Sequence, residues 1–163
     1  MKKMKKILAM VLAVVMAMGM SVTVLATEGN GEASTAIKPT AEDKATATVE
    51  NVEAGATVTA YRIVEPTYND KGFTGYKVAE GVTLANMLEP TSNEVTGIAA
   101  NKTLLADLTK ETLKASEGAT GLTTFSESLG AGYWVVIVEG SAIQEVYNPM
   151  LVGIYYSVEG SGD

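Results

Sequence analysis

The first apolar run is unbroken. Residues 7–20 are built of Ile, Leu, Val, Ala and Met with one Gly, behind the lysines Lys2, Lys3, Lys5 and Lys6. A short, more polar stretch follows, and Val24-Leu25-Ala26 places β-branched and small residues at −3 and −1. This order is that of a secretory signal peptide, with cleavage expected between Ala26 and Thr27. The apolar run is short for the ~20 residues of a membrane-spanning helix. Residues 27–44 are rich in Gly, Glu, Ser, Thr and Ala, lack periodicity, and read as a flexible leader.

From residue 45 the pattern turns to period two. Residues 45–52, ATATVENV, alternate modestly. Glu53-Ala54-Gly55 reads as a turn, and residues 56–64, ATVTAYRIV, are β-branched and aromatic. In that second run Val58, Ala60, Arg62 and Val64 share one face. Thr57, Thr59, Tyr61 and Ile63 share the other. The pair predicts a hairpin. Pro66, Asn69, Gly72 and Gly75 punctuate a loop, and residues 73–78 are of short-strand length. Helical spacing then takes over. Leu84, Met87 and Leu88 follow Thr83 as an N-cap, and Pro90 stops that turn. Leu104, Leu105, Leu108 and Leu113 predict an amphipathic helix over 101–116, capped by Asn101. Strand chemistry returns at Leu122. Gly130-Ala131-Gly132 reads as a tight turn before YWVVIV at 133–138, a continuous apolar run expected at the centre of a sheet. Asn148-Pro149 breaks the chain before a last strand, MLVGIYYSV. Strands, helix, strands: the order predicts a mainly β, Ig-like antiparallel sandwich with a helical insertion around 83–116.

Charge and composition narrow the function. Removing the four signal lysines from twelve basic residues leaves eight against nineteen acids, a net of −11 after cleavage. Such a surface repels nucleic acid and anionic membrane, so no nucleic-acid partner is expected and the membrane is met only through the signal peptide. The sequence holds no Cys and no His. Disulfides, thiolate and imidazole catalysis, the usual zinc sites and every Ser-His-Asp triad fall with them. No cofactor, metal site or catalytic residue is expected.

Other candidate features weigh less. Gly130-Ala131-Gly132 lacks the third glycine of a dinucleotide loop and enters a strand. Asn101-Lys102-Thr103 matches a glycosylation sequon by chance in a chain with a bacterial-style signal. The tyrosines and Trp134 could line a glycan-binding face, but aromatics on strands more often pack half-buried. Glu50, Glu53, Glu65, Asp70, Glu139 and Glu145 contain no spacing that selects a glycosidase pair. An exported protein without cysteine has one other route to a covalent staple. A lysine amine and an asparagine amide can form an isopeptide bond beside a buried carboxylate, in surroundings that lower the lysine pKa. Lys44, Lys77 and Asn148 are the candidates for it by their placement.

Three segments together carry a family likeness: ATATVENVEAGATVTAYRIV at 45–64, LTTFSESLGAGYWVVIV at 122–138 and VYNPMLVGIYYSV at 146–158. In this order, behind a signal peptide, they resemble the N-terminal domain of Gram-positive sortase-assembled major pilins. The resemblance covers most of the mature chain. It implies a CnaB-related, isopeptide-forming type of sandwich and a structural role in a surface pilus or fimbria, contributing to shaft assembly and adhesion. It implies other pilin subunits and a sortase as partners, and a secreted, cell-wall-associated location. The pilin-motif lysine segment and the sorting signal of that family are not found here, so the ending after 158 is expected to be a truncated linker (159–163) of a longer pilin. A stand-alone relative is the second expectation. The domain reading is thus 1–26 signal, 27–44 leader and 45–158 sandwich. The alternative function is a non-catalytic module that binds a glycan or host protein.

Overall fold

The structure, a computed structural model, describes residues 11–12, 40–117 and 121–156. The cleavage site at Ala26 and Thr27, the leader up to residue 39 and the ending from 157 lie outside the described residues. The elements run β1 (Val11–Leu12), β2 (Lys44–Glu53), β3 (Thr57–Asn69), β4 (Gly72–Val78), α1 (Ser92–Ala100), α2 (Lys102–Asp107), β5 (Lys110–Ala115), β6 (Leu122–Gly130), β7 (Gly132–Glu139) and β8 (Met150–Ile154). All strand pairings are antiparallel. The strand order is β1-β2-β6-β5-β3-β7-β8, with β4 paired to β3. The two-residue β1 lies along β2 at Val49 and Thr48, and cleavage after Ala26 would remove it.

Two layers form because β2 and β3 each own one apolar face. The sequence predicts them as a hairpin, yet they do not pair. β2 pairs with β6, while β3 pairs with β4, β5 and β7. Ala45, Ala47, Val49 and Val52 of β2 and Val58 and Ala60 of β3 enter one core cluster with Trp134, Val136 and Val138 of β7. The Glu53–Gly55 turn therefore crosses from one layer to the other. Facing each other across the core hides both apolar faces from water, which edge-to-edge pairing would not do. A bulge between Val49 and Val52, with Asn51 at a φ of 60°, keeps both valines inward despite their three-residue spacing.

The run at 133–138 is a central strand, as expected. It pairs with β3 on one side and β8 on the other. Trp134, Val136 and Val138 face the inter-sheet core, whereas Val135 joins a second cluster with Ile63, Val64, Val95, Ile98, Leu105 and Leu108. The two helices thus cover the outer face of this layer.

Three expected elements are redrawn. No helix starts at Thr83. α1 starts after Pro90 instead, with Thr91 as N-cap in a reciprocal capping box with Glu94. Asn101 does cap the next helix, accepting the Leu104 N–H at 3.1 Å, but α2 ends at Asp107. Residues 110–115 are strand β5, bridging β3 and β6. In it only Leu113 is buried, between exposed Thr112 and Lys114, a period of two rather than 3.6. The loop read at 65–75 is the end of β3 and the start of β4, closed by a turn at Asp70-Lys71. Pro66 fits there because β7 pairs with β3 only as far as Val64, leaving that edge of β3 without a β7 partner.

Candidate functional site

The chain enters and leaves the sandwich at one end. β2 begins at Lys44 opposite Gly130, and β8 ends at Ile154 opposite Gly132. The β3–β4 hairpin reaches to this end and carries an aromatic group. Phe73 meets Tyr68, Tyr76 and Tyr156 edge-on at centroid distances of 6.1, 5.0 and 4.9 Å. Tyr68 donates to the Tyr156 hydroxyl at 2.6 Å, and Tyr156 donates to the Thr40 carbonyl at 2.7 Å. Burial, then the bond to Tyr68, raises the Tyr156 pKa far above the ordinary phenol value. The clasp ties the incoming chain, the outgoing chain and the hairpin together.

The opposite end is fastened by Glu53. Its carboxylate accepts the backbone N–H groups of Gln144, at 3.0 and 3.1 Å, and of Glu145, at 2.9 Å. Its own N–H donates to the Tyr147 hydroxyl at 2.9 Å. Glu53 is thus a structural acid that anchors the β7–β8 loop. Glu65 pairs with Lys77 at 3.4 Å, and Glu139 with Lys102. Three of the six acids weighed for catalysis are therefore committed to bonds within the fold.

The aromatic candidates do not form a platform. Trp134 and Tyr147 are buried. Tyr61, Tyr76 and Tyr133 pack on the helix-side cluster, with Tyr133 donating to the Leu88 carbonyl at 2.9 Å. Among the described tyrosines only Tyr155, 65 % exposed, is a large exposed residue.

The isopeptide candidates stand apart. Lys44 is exposed at the start of β2. Lys77 is 63 % exposed and paired with Glu65. Asn148 is exposed and follows Tyr147, which is bonded at the far end of β2. The ten-residue β2 separates that end from Lys44 by roughly 30 Å. The inward positions of β2 hold Ala45, Ala47, Val49 and Val52, none of them a lysine.

Sequence reasoning assigned no role to Arg62. The signal was present in the alternation that put it on the face of Val58 and Ala60. In the fold it points inward beside Trp134, its strand neighbour, with its guanidinium 4.4 Å from the ring centroid.

Two layers, a helix pair over one face and a clasped end define an Ig-like module. Residues 42–162 match the model of the T6 antigen Ig-like domain, and the chain belongs to that family. It is 34 % identical over 122 residues to the trypsin-resistant surface T6 protein of Streptococcus pyogenes serotype M6, covering 74 % of this chain and 22 % of that protein. The T6 backbone pilin of the same serotype, solved as a modular three-domain structure, superposes with a TM-score of 0.58 at 33 % identity. That match covers 76 % of this chain and 26 % of the pilin. The chain therefore spans about a quarter of the relatives it matches. The first of these is a surface protein and the second a backbone pilin.

Proposed function

We propose that this chain is a structural module of a Gram-positive surface pilus, exported by its signal peptide and built into a shaft with other pilin subunits. The observation that carries the reading is the family match over 42–162, on a fold whose ends are fastened by internal bonds. A sortase would be the enzyme that joins it, and the cell wall its final location. The domain division is signal 1–26, leader 27–44, sandwich 45–158 and linker 159–163. No catalytic role is assigned. Glu53, Glu65 and Glu139 are held by structural partners, and the chain lacks histidine and cysteine. Adhesion would come from the assembled fibre rather than from a tyrosine surface of this module.

The test is an immunoblot of cell-wall extracts with antibody raised against residues 40–156, in the source bacterium and in a strain lacking its sortases. A detergent-resistant ladder of high-mass species that disappears without sortase is expected. A single monomeric band in both strains would overturn the reading.

A further inference from the structure

β2 has one partnered edge and one open edge. Along Lys44–Val49 it pairs residue by residue with β6. Among the described residues only β1 lies on its other side, at Val49 and Thr48. That contact shows the edge accepting an antiparallel strand, and the occupant belongs to the segment that the proposed cleavage after Ala26 takes away. The mature chain then presents the outer edge of β2 without β1.

Nothing in β2 defends that edge. The strand is ten residues long, KATATVENVE, with no proline and no charge among its inward positions. Such an edge is a template for another strand. β8, at the opposite end of the strand order, has only five residues. The bulge after Val49 ends the regular part of β2, so a new strand has Lys44 to Glu50 to pair with.

Residues opposite one another in an antiparallel pair project to the same face. An added strand must therefore set inward residues against Ala45, Ala47 and Val49, and outward ones against Lys44, Thr46, Thr48 and Glu50. A second β2, turned about a two-fold axis at Ala47, does this. Ala45 meets the partner's Val49, Thr46 meets the partner's Thr48, and Lys44 meets the partner's Glu50. The symmetry repeats each pair, which gives two ion pairs. Centring on Thr48 instead carries Lys44 past the bulge and sets Thr46 against the partner's Glu50. Lys44 is exposed, and its nearby acid Glu127 is already bonded to Lys114.

We propose that the outer edge of β2 is an interaction surface for a second copy of this chain, joined β2 to β2 with Ala47 on the two-fold axis. The pairing would extend one layer of each sandwich into a sheet shared by two modules. It rests on the cleavage after Ala26, which the mass of the secreted protein checks separately.

The chain from Thr27 to Asp163 is followed by sedimentation equilibrium. A mass rising toward twice the monomer with concentration is expected. Lys44→Glu and Glu50→Lys each set like charges opposite one another and should each weaken the dimer about tenfold, and the double exchange should restore it. The chain has no cysteine of its own. Thr46→Cys and Thr48→Cys chains, mixed and oxidised, should therefore form the 46–48 disulfide in preference to 46–46 or 48–48. A monomer at every concentration would overturn the proposal. So would a dimer that ignores the single charge reversals, or one in which the three disulfides form equally.

Discussion

The hydroxyls of Tyr68 and Tyr156, 88 residues apart in sequence, lie 2.6 Å from one another, and the second donates a hydrogen bond to the carbonyl of Thr40. This relay joins the β3–β4 hairpin to the incoming and outgoing chain at one end. Chained hydrogen bonds of this kind strengthen one another and lose more than one partner when a member is removed.

Tyr156→Phe should therefore destabilise the fold by about 1–2 kcal/mol, measured by urea denaturation. Tyr155→Phe alters an exposed neighbour and should stay within about 0.5 kcal/mol of the parent. Equal effects of the two substitutions would show that the relay contributes nothing.

Alkali should loosen both ends. Burial raises the Tyr156, Tyr76 and Tyr147 pKa values above that of a free phenol. A raised folded-state value means the native state keeps protons that the unfolded state releases. Stability is then full below the unfolded tyrosine pKa of about 10 and falls as pH climbs beyond it. Urea midpoints should be flat from pH 7 to about 9 in this respect and drop above about 10, less steeply in Tyr156→Phe.

Gly132 has a φ of 129°, and a Cβ there would collide with the Val64 carbonyl oxygen. Gly132→Ala should cost at least about 2 kcal/mol, from left-handed strain and the displaced β3–β7 pairing. Gly97→Ala meets nothing within 4 Å and, in the middle of α1, should be neutral or stabilising. Thermal midpoints of the two variants settle this.

Leu113→Ala should cost about 2–4 kcal/mol, because this side chain is the one residue β5 buries. Backbone Cα shifts across 110–115 should be those of a strand. Helical shifts there would refute β5.

The intact mass of the chain from Thr27 should equal that of the sequence. Isopeptide formation between a lysine and Asn148 expels ammonia and would leave a deficit of about 17 Da. Exposed Lys44 and Lys77, with Asn148 placed toward the far end of β2, argue against that deficit.

The strands that the sequence displayed well are those whose burial follows chemistry alone. The run at 133–138 is apolar at every position because both its faces are covered. The second cluster of leucines misled for a physical reason. Leu104, Leu105 and Leu108 belong to α2 and its C-cap, while Leu113 belongs to a strand, yet i, i+4 and i+5 spacings merge across the Leu108-Thr109 break. The pairing of β2 and β3 was hidden because a short turn serves a hairpin and an inter-sheet crossing equally well. The clasp was harder still. Its members, Thr40, Tyr68, Phe73, Tyr76 and Tyr156, are distant in sequence and share no spacing. Arg62 was visible as an inward position, but its seat over the Trp134 ring is a property of three dimensions.

Because the chain enters and leaves at one end, tension applied to its two continuations would not stretch the sandwich lengthwise. It would tug on β2 and β8 from the same side and unzip them one rung at a time, beginning at Lys44 against Gly130 and Ile154 against Gly132. The tyrosine relay bridges those two starting points, so it acts as a safety catch. In a fibre under pull, the body of the module would hang beside the taut line as a passenger.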